Sequence, residues 1–134
     1  MAITWEAGKP IQHEDLVIEA FDDICQMLMF AVSWIGQVVP GTRVICERSP
    51  RSLVLQWEGK DWPILRLDYV PEDAERQEHI HLYSRLVGKK EPLKAMILPS
   101  TPKSFVLQSP GVFKEIAYAD VRDSLLVPAL FDVS

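Results

Sequence analysis

The sequence predicts an α+β fold, in which one long N-terminal α-helix packs on a mostly antiparallel β-sheet and a short C-terminal helix follows. Three observations carry this. Residues 11–39 place apolar side chains at alternating steps of four and three. Residues 43–119 break into short β-branched and aromatic runs separated by Pro, Gly and Ser. A last segment, 121–127 (VRDSLLV), follows directly on Asp120 as a short helix candidate. No repeat, low-complexity tract or long linker divides the chain, so residues 1–134 read as one domain, long enough to bury most of its unfolded surface.

The helix is the organising element. Val17, Phe21, Ile24, Leu28, Ala31, Ile35 and Val38 form the seam expected of a helix facing a packed partner. From Ile24 onward the apolar character spreads beyond that seam: 27–32 runs without a polar break, and Trp34 follows. A helix with so wide an apolar perimeter needs enclosure on most sides. The sheet supplies part of it and a second subunit the rest, which predicts a homo-oligomer. Upstream, 3–5 reads as a short strand or arm, broken by Gly8-Lys9-Pro10, with proline suited to a first helical turn. The helix is expected to end between Gly36 and Val39, before the Pro40-Gly41 turn.

Strands are expected at 43–48 (RVICER), 53–57 (LVLQW), 62–70 (WPILRLDYV), 93–98 (LKAMIL), 104–108 (SFVLQ) and 112–119 (VFKEIAYA). In the third, Leu65, Leu67 and Tyr69 share one face. Residues 71–87 carry two patterns: PEDAERQE favours helix by propensity, whereas HIHLYSRLV alternates. A polar loop or short helical turn leading into a strand fits both. Asp120 is placed to cap the terminal helix over 121–127, which Pro128 should end or kink.

The net charge of −5 is unevenly distributed. Up to Val38, Glu6, Glu14, Asp15, Glu19, Asp22 and Asp23 oppose Lys9 alone; beyond it, thirteen acids balance thirteen bases. An acidic N-terminal segment without a compensating basic stripe argues against nucleic acid as a partner. Gln26, Ser33, Gly36 and Gln37 interrupt the greasiest part of the helix, which falls short of the roughly 20 apolar residues a membrane span needs. The first ten residues lack the basic start and apolar core of a secretory signal. Cys25 in the helix and Cys46 in a strand read as small buried hydrophobes, so a reduced, cytoplasmic setting is expected.

Motifs for chemistry are sparse. His79 and His81 would project from one face of a strand about 7 Å apart, but a metal needs a third ligand, and two ordinary surface histidines explain the pair equally well. No serine occupies a Gly-x-Ser-x-Gly elbow, no glycine cluster can cradle a phosphate, and neither cysteine sits in an electropositive loop. The sequence therefore predicts no catalytic residue, no metal site and no cofactor.

Two architectural resemblances bear on function. A long helix carrying Glu19, Asp22 and Asp23 and wrapped by an antiparallel sheet resembles the hot-dog fold. That resemblance implies a small thioesterase-like hydrolase, or a ligand-binding protein, with a pocket between helix and sheet. If 71–87 is read as helix, the order helix, three strands, helix, strands, helix in a small acidic chain is similar to class I type III secretion chaperones, which implies a dimeric chaperone. The leading expectation is a non-enzymatic protein-interaction module: an adaptor, chaperone, inhibitor or assembly factor. Its partner-binding residues are expected to be Glu14, Asp15, Glu19, Asp22 and Asp23, meeting a basic protein surface. Met27, Phe30 and Trp34 complete the set, being either core or an adaptable docking surface.

Overall fold

The computed structural model describes residues 13–41, 43–87 and 89–131, with side chains from residue 16 onward. The expected arm at 3–5 and the helix-start signal at Gly8–Pro10 lie outside the described residues. The first element is α1 (His13–Val38), 26 residues and therefore about 39 Å long. Seven strands follow: β1 (Val44–Ser49), β2 (Ser52–Trp57), β3 (Leu65–Val70), β4 (His79–Ser84), β5 (Leu93–Thr101), β6 (Ser104–Ser109) and β7 (Val112–Ala117). They form one antiparallel sheet in strict chain order, β1 to β7, so every connection is a local hairpin or loop. The fold is α+β as the sequence predicts.

Alternation along the strands gives the sheet one apolar face. Leu53, Leu67, Leu82 and Ala95 align across β2 to β5, and Ile80, Ile97 and Leu107 across β4 to β6. Against these rows α1 presents Val17, Phe21, Ile24, Leu28, Ala31 and Ile35, all buried, together with Ala20 and Cys25. Val38, the last member of the expected seam, is exposed instead, because the helix stops there and the chain turns away through Pro40 and Gly41. Gly41 has φ +88°, a conformation that favours glycine. Cys46, expected to be buried, is only half-buried, because β1 lies at the sheet's edge.

The segment 71–87 resolves as loop plus strand. Asp73 Oδ1 accepts hydrogen bonds from the backbone N–H groups of Glu75 and Arg76, both at 2.8 Å. This local closure satisfies donors that a helix would otherwise use. The helix that the chaperone resemblance requires there is absent, and the alternating HIHLYS becomes β4.

The C-terminal run differs from expectation in detail. A 3₁₀ turn (Tyr118–Asp120) leads into a π-helical turn (Arg122–Leu126) and then α2 (Val127–Leu130). No side chain caps these turns, so Asp120 does not play the capping role its position suggested. Pro128 does not end the helical path at once: it falls just after the π-helical turn, and the path closes two residues later at Leu130. The Pro128 carbonyl accepts the Val87 N–H at 3.0 Å, tying the run back to the segment after β4. Val121, Leu125, Leu126, Ala129 and Leu130 join the same core as α1 and the sheet.

Leu28 is fully buried midway along α1. Leu28→Ala should cost about 2–5 kcal/mol of unfolding free energy through lost transfer and a residual cavity, whereas Glu75→Ala on the exposed loop should cost under about 0.5 kcal/mol. Chemical denaturation of the two variants checks this; equal stabilities would mean that α1 is peripheral to the core.

Candidate functional site

One flank of α1 is left uncovered by the sheet. Asp23, Met27, Phe30 and Trp34 recur there at steps of four, three and four, a second stripe parallel to the buried one. All four are exposed, Met27 at 42%, Phe30 at 76% and Trp34 at 41%. The stripe forms the first wall of a groove of about 660 Å³ whose opposite wall is Pro102 and Lys103 with Ala117, Tyr118 and Ala119. Further along α1 the groove continues as a recess of about 360 Å³ between Trp34, Tyr118 and Arg122.

The far wall is assembled from distant parts of the chain. β7 stops at Ala117, and the Tyr118 N–H donates to the Lys103 carbonyl at 2.9 Å, holding the strand end against the β5–β6 turn. The Tyr118 ring packs on buried Phe105, centroids 5.5 Å apart at 49°. Burial, and then the charge of Asp23, raises the pKa of its hydroxyl above the usual tyrosine value. At the other end the Arg122 guanidinium lies 4.4 Å from the Trp34 ring centroid, a cation–π contact, while its Nε donates to Asp123 at 3.1 Å. Trp34 is thus held in place on one side and open on the other.

The acidic set is divided. Consecutive helix positions point about 100° apart, so Asp22 turns away from Asp23 and pairs with Arg48 of β1. The Arg48 guanidinium in turn lies 4.9 Å from the Phe21 ring centroid. Asp22 is therefore engaged within the chain. Asp23 lines the groove and Glu19 is exposed; neither forms an ion pair among the described residues. The side chains of Glu14 and Asp15 lie outside those described. Of the residues the sequence singled out, the structure brings together Asp23, Met27, Phe30 and Trp34. Pro102, Lys103, Tyr118 and Arg122 were missed, because only the tertiary fold carries these two separate segments to the flank of α1.

Away from the groove the histidines and acids have mainly structural neighbours, although Glu78 Oε1 and Ser84 Oγ are buried without a hydrogen-bond partner among the described residues. His79 and His81 do share the outer face of β4, but His79 is buried and its Nδ1 lies 2.9 Å from the Gln77 carbonyl oxygen. It is not a surface residue, as had been expected. His81 stands opposite Asp68 of β3, which is itself paired with Arg66 at 2.9 Å. Among the described residues no group of three His, Cys, Asp or Glu side chains is placed to hold a metal ion. Glu78 is 2% exposed, and the Tyr69 hydroxyl donates to its Oε2. The Cys25 thiol is pushed up to about 12, mainly by burial, with Arg48 lowering it and Asp22 raising it.

The groove and its recess offer the Asp23 carboxylate, the Gln26 carboxamide, the Lys103 ammonium, the Tyr118 phenol and the Arg122 guanidinium around an apolar floor, and among the described residues neither histidine nor cysteine lines it. No helix among the described residues is long and apolar enough to cross a membrane. No family model matches the chain, and neither a curated protein nor a solved structure is similar to it at a significant level.

Two outcomes check the electrostatics. Desolvation holds the His81 pKa below its ordinary value of 6.5, against the opposing charge of Asp68. The unfolded chain then binds more protons than the native one as pH falls through 6.5, so stability should decrease in that direction. His81→Gln should flatten this slope in denaturation curves measured between pH 7 and about 5; an unchanged slope would remove His81 from the account. A thiol titrating near 12 exposes almost no thiolate at neutral pH. Iodoacetamide should therefore spare Cys25 in the native protein and modify it readily in denaturant, with mass spectrometry locating the adduct. Rapid native labelling of Cys25 would contradict its burial.

Proposed function

We propose that this protein is a non-enzymatic protein-interaction module whose working surface is the groove beside α1. The observation that supports the reading best is the stripe Met27–Phe30–Trp34, three large apolar side chains exposed on the very helix that forms the core. Contiguous apolar surface of this kind is costly to leave in water and characteristically marks an interface. Methionine and aromatic side chains are those enriched at interface centres, where they adapt to a partner at little cost in packing. Asp23 and Lys103 stand at one end of the groove and Arg122 at the other, giving the apolar floor a polar rim. In this reading Asp23, with Glu19 one turn away, is the acidic contribution to docking. Asp22 acts inside the fold through Arg48. An adaptor, chaperone, inhibitor or assembly factor would each use such a surface.

A second reading is favoured by one dimension: the groove's 660 Å³ falls within the roughly 300–1,000 Å³ of small-molecule sites. A ligand-binding protein would place an apolar molecule against Met27, Phe30 and Tyr118, on the flank of the helix rather than between helix and sheet.

The two readings separate in a cross-linking experiment in cells. A photoreactive phenylalanine analogue at position 30 should trap a protein, and the same analogue at exposed position 75 should not. Addition of Met27→Ser should reduce the position-30 adduct by about tenfold or more, the size expected for losing an interface anchor. Trapping at position 30 no stronger than at position 75 would contradict the interaction reading and leave the small-ligand reading in its place.

A further inference from the structure

We infer that the partner occupying this groove is a second copy of the chain, docked with the two α1 helices antiparallel about a twofold axis that passes between Met27 and Phe30. The inference rests on the interaction reading above and names its partner.

The argument is self-complementarity. A twofold interface uses the same patch on both copies, so each residue must suit the residue that the axis places opposite it. In antiparallel helices centred between positions 27 and 30, Met27 meets the partner's Phe30 and Asp23 meets the partner's Trp34, each pair occurring twice. Both pairs share one centre, so a single register satisfies all four positions. The steps of four, three and four keep the stripe in line along a facing helix, as in knobs-into-holes packing.

Chemistry agrees with that register. The apolar residues Met27 and Phe30 fall at the centre, where Phe30, the most exposed side chain of the stripe, enters the partner's groove against Met27 and Tyr118. The charged side chains fall at the ends of the stripe, where Arg122 keeps its Nε on Asp123 while its guanidinium lies over Trp34. Asp23 lies at one end of the stripe, with Glu19 a turn beyond it, and Arg122 lies over Trp34 at the other. The axis brings Asp23 of one copy to the Arg122 side of the next. Lys103, on the opposite wall at the Asp23 end, forms no ion pair among the described residues and stays at the rim. The parallel arrangement would instead stack Asp23 on Asp23 and Arg122 on Arg122. Repulsion between the two Asp23 carboxylates, which have no ion-pair partner among the described residues, therefore disfavours the parallel one.

Analytical ultracentrifugation of the full chain from about 1 to 100 μM tests this directly. The parent chain should form a dimer, and Phe30→Glu should raise its dissociation constant at least tenfold. Asp23→Arg and Arg122→Asp should each weaken the dimer at least tenfold, since a twofold interface suffers every substitution twice. Together in one chain the two reversals should restore the dissociation constant to within about threefold of the parent. Arg122→Gln, which removes the charge without adding an acid beside Asp123, should weaken the dimer with unchanged circular dichroism. A monomer throughout the range overturns the inference. A dimer indifferent to the single reversals, or a double reversal no tighter than either single one, overturns it equally. If the chain is monomeric while position 30 still traps a different protein, this inference falls and the interaction reading stands. If it is monomeric and position 30 traps nothing, both fall.

Discussion

The structure depends on how one helix divides its apolar perimeter. α1 has more large apolar side chains than a single sheet face can cover, and the 3.6-residue period assigns them to opposite fates. Val17, Phe21, Ile24, Leu28, Ala31 and Ile35 are packed against rows of leucine and isoleucine from β2 to β6. Met27, Phe30 and Trp34 are turned to the flank. Because register and helix phase are fixed together, neither set can be moved without moving the other. The buried set carries the stability of the domain, and the exposed set is what remains for a partner.

The flank becomes a groove through the polar bookkeeping of the far side of the sheet. β7 ends at Ala117, and the Tyr118–Lys103 backbone hydrogen bond joins its end to the β5–β6 turn. The 3₁₀ and π turns that follow swing Tyr118 and Arg122 towards α1, and Phe105 and Trp34 hold their side chains there. Arg48 performs the corresponding task at the opposite side of α1, where it pairs with Asp22 and covers the Phe21 ring. The helix is thus gripped by two arginines on different elements, and only the Asp23 side of its acidic turn is left open.

Much of this was legible in the sequence, for identifiable reasons. The α1 seam and the alternation in β2, β3 and β4 are local periodicities, and the structure follows them nearly residue by residue. The stripe from Asp23 to Trp34 could be read because it lies on one helix. What was not legible depends on tertiary neighbours. Nothing near Asp22 in the chain announces Arg48, and nothing near Phe30 announces Tyr118. His79 and Glu78 look like surface residues beside a polar loop, but the fold buries both. Pro128 reads as a terminator by propensity, yet the helical path that enters it from the π-helical turn runs on to Leu130.

The central claim is that the exposed stripe serves binding and contributes nothing to the fold of the single chain. The most direct measurement is the unfolding free energy of Phe30→Ala and Phe21→Ala, two phenylalanines on opposite sides of α1, taken at nanomolar protein concentration where association does not contribute. The account predicts that Phe30→Ala stays within about 0.5 kcal/mol of the parent, while Phe21→Ala loses about 3–5 kcal/mol. A loss at Phe30 comparable to that at Phe21 would make the stripe part of the core and contradict the account.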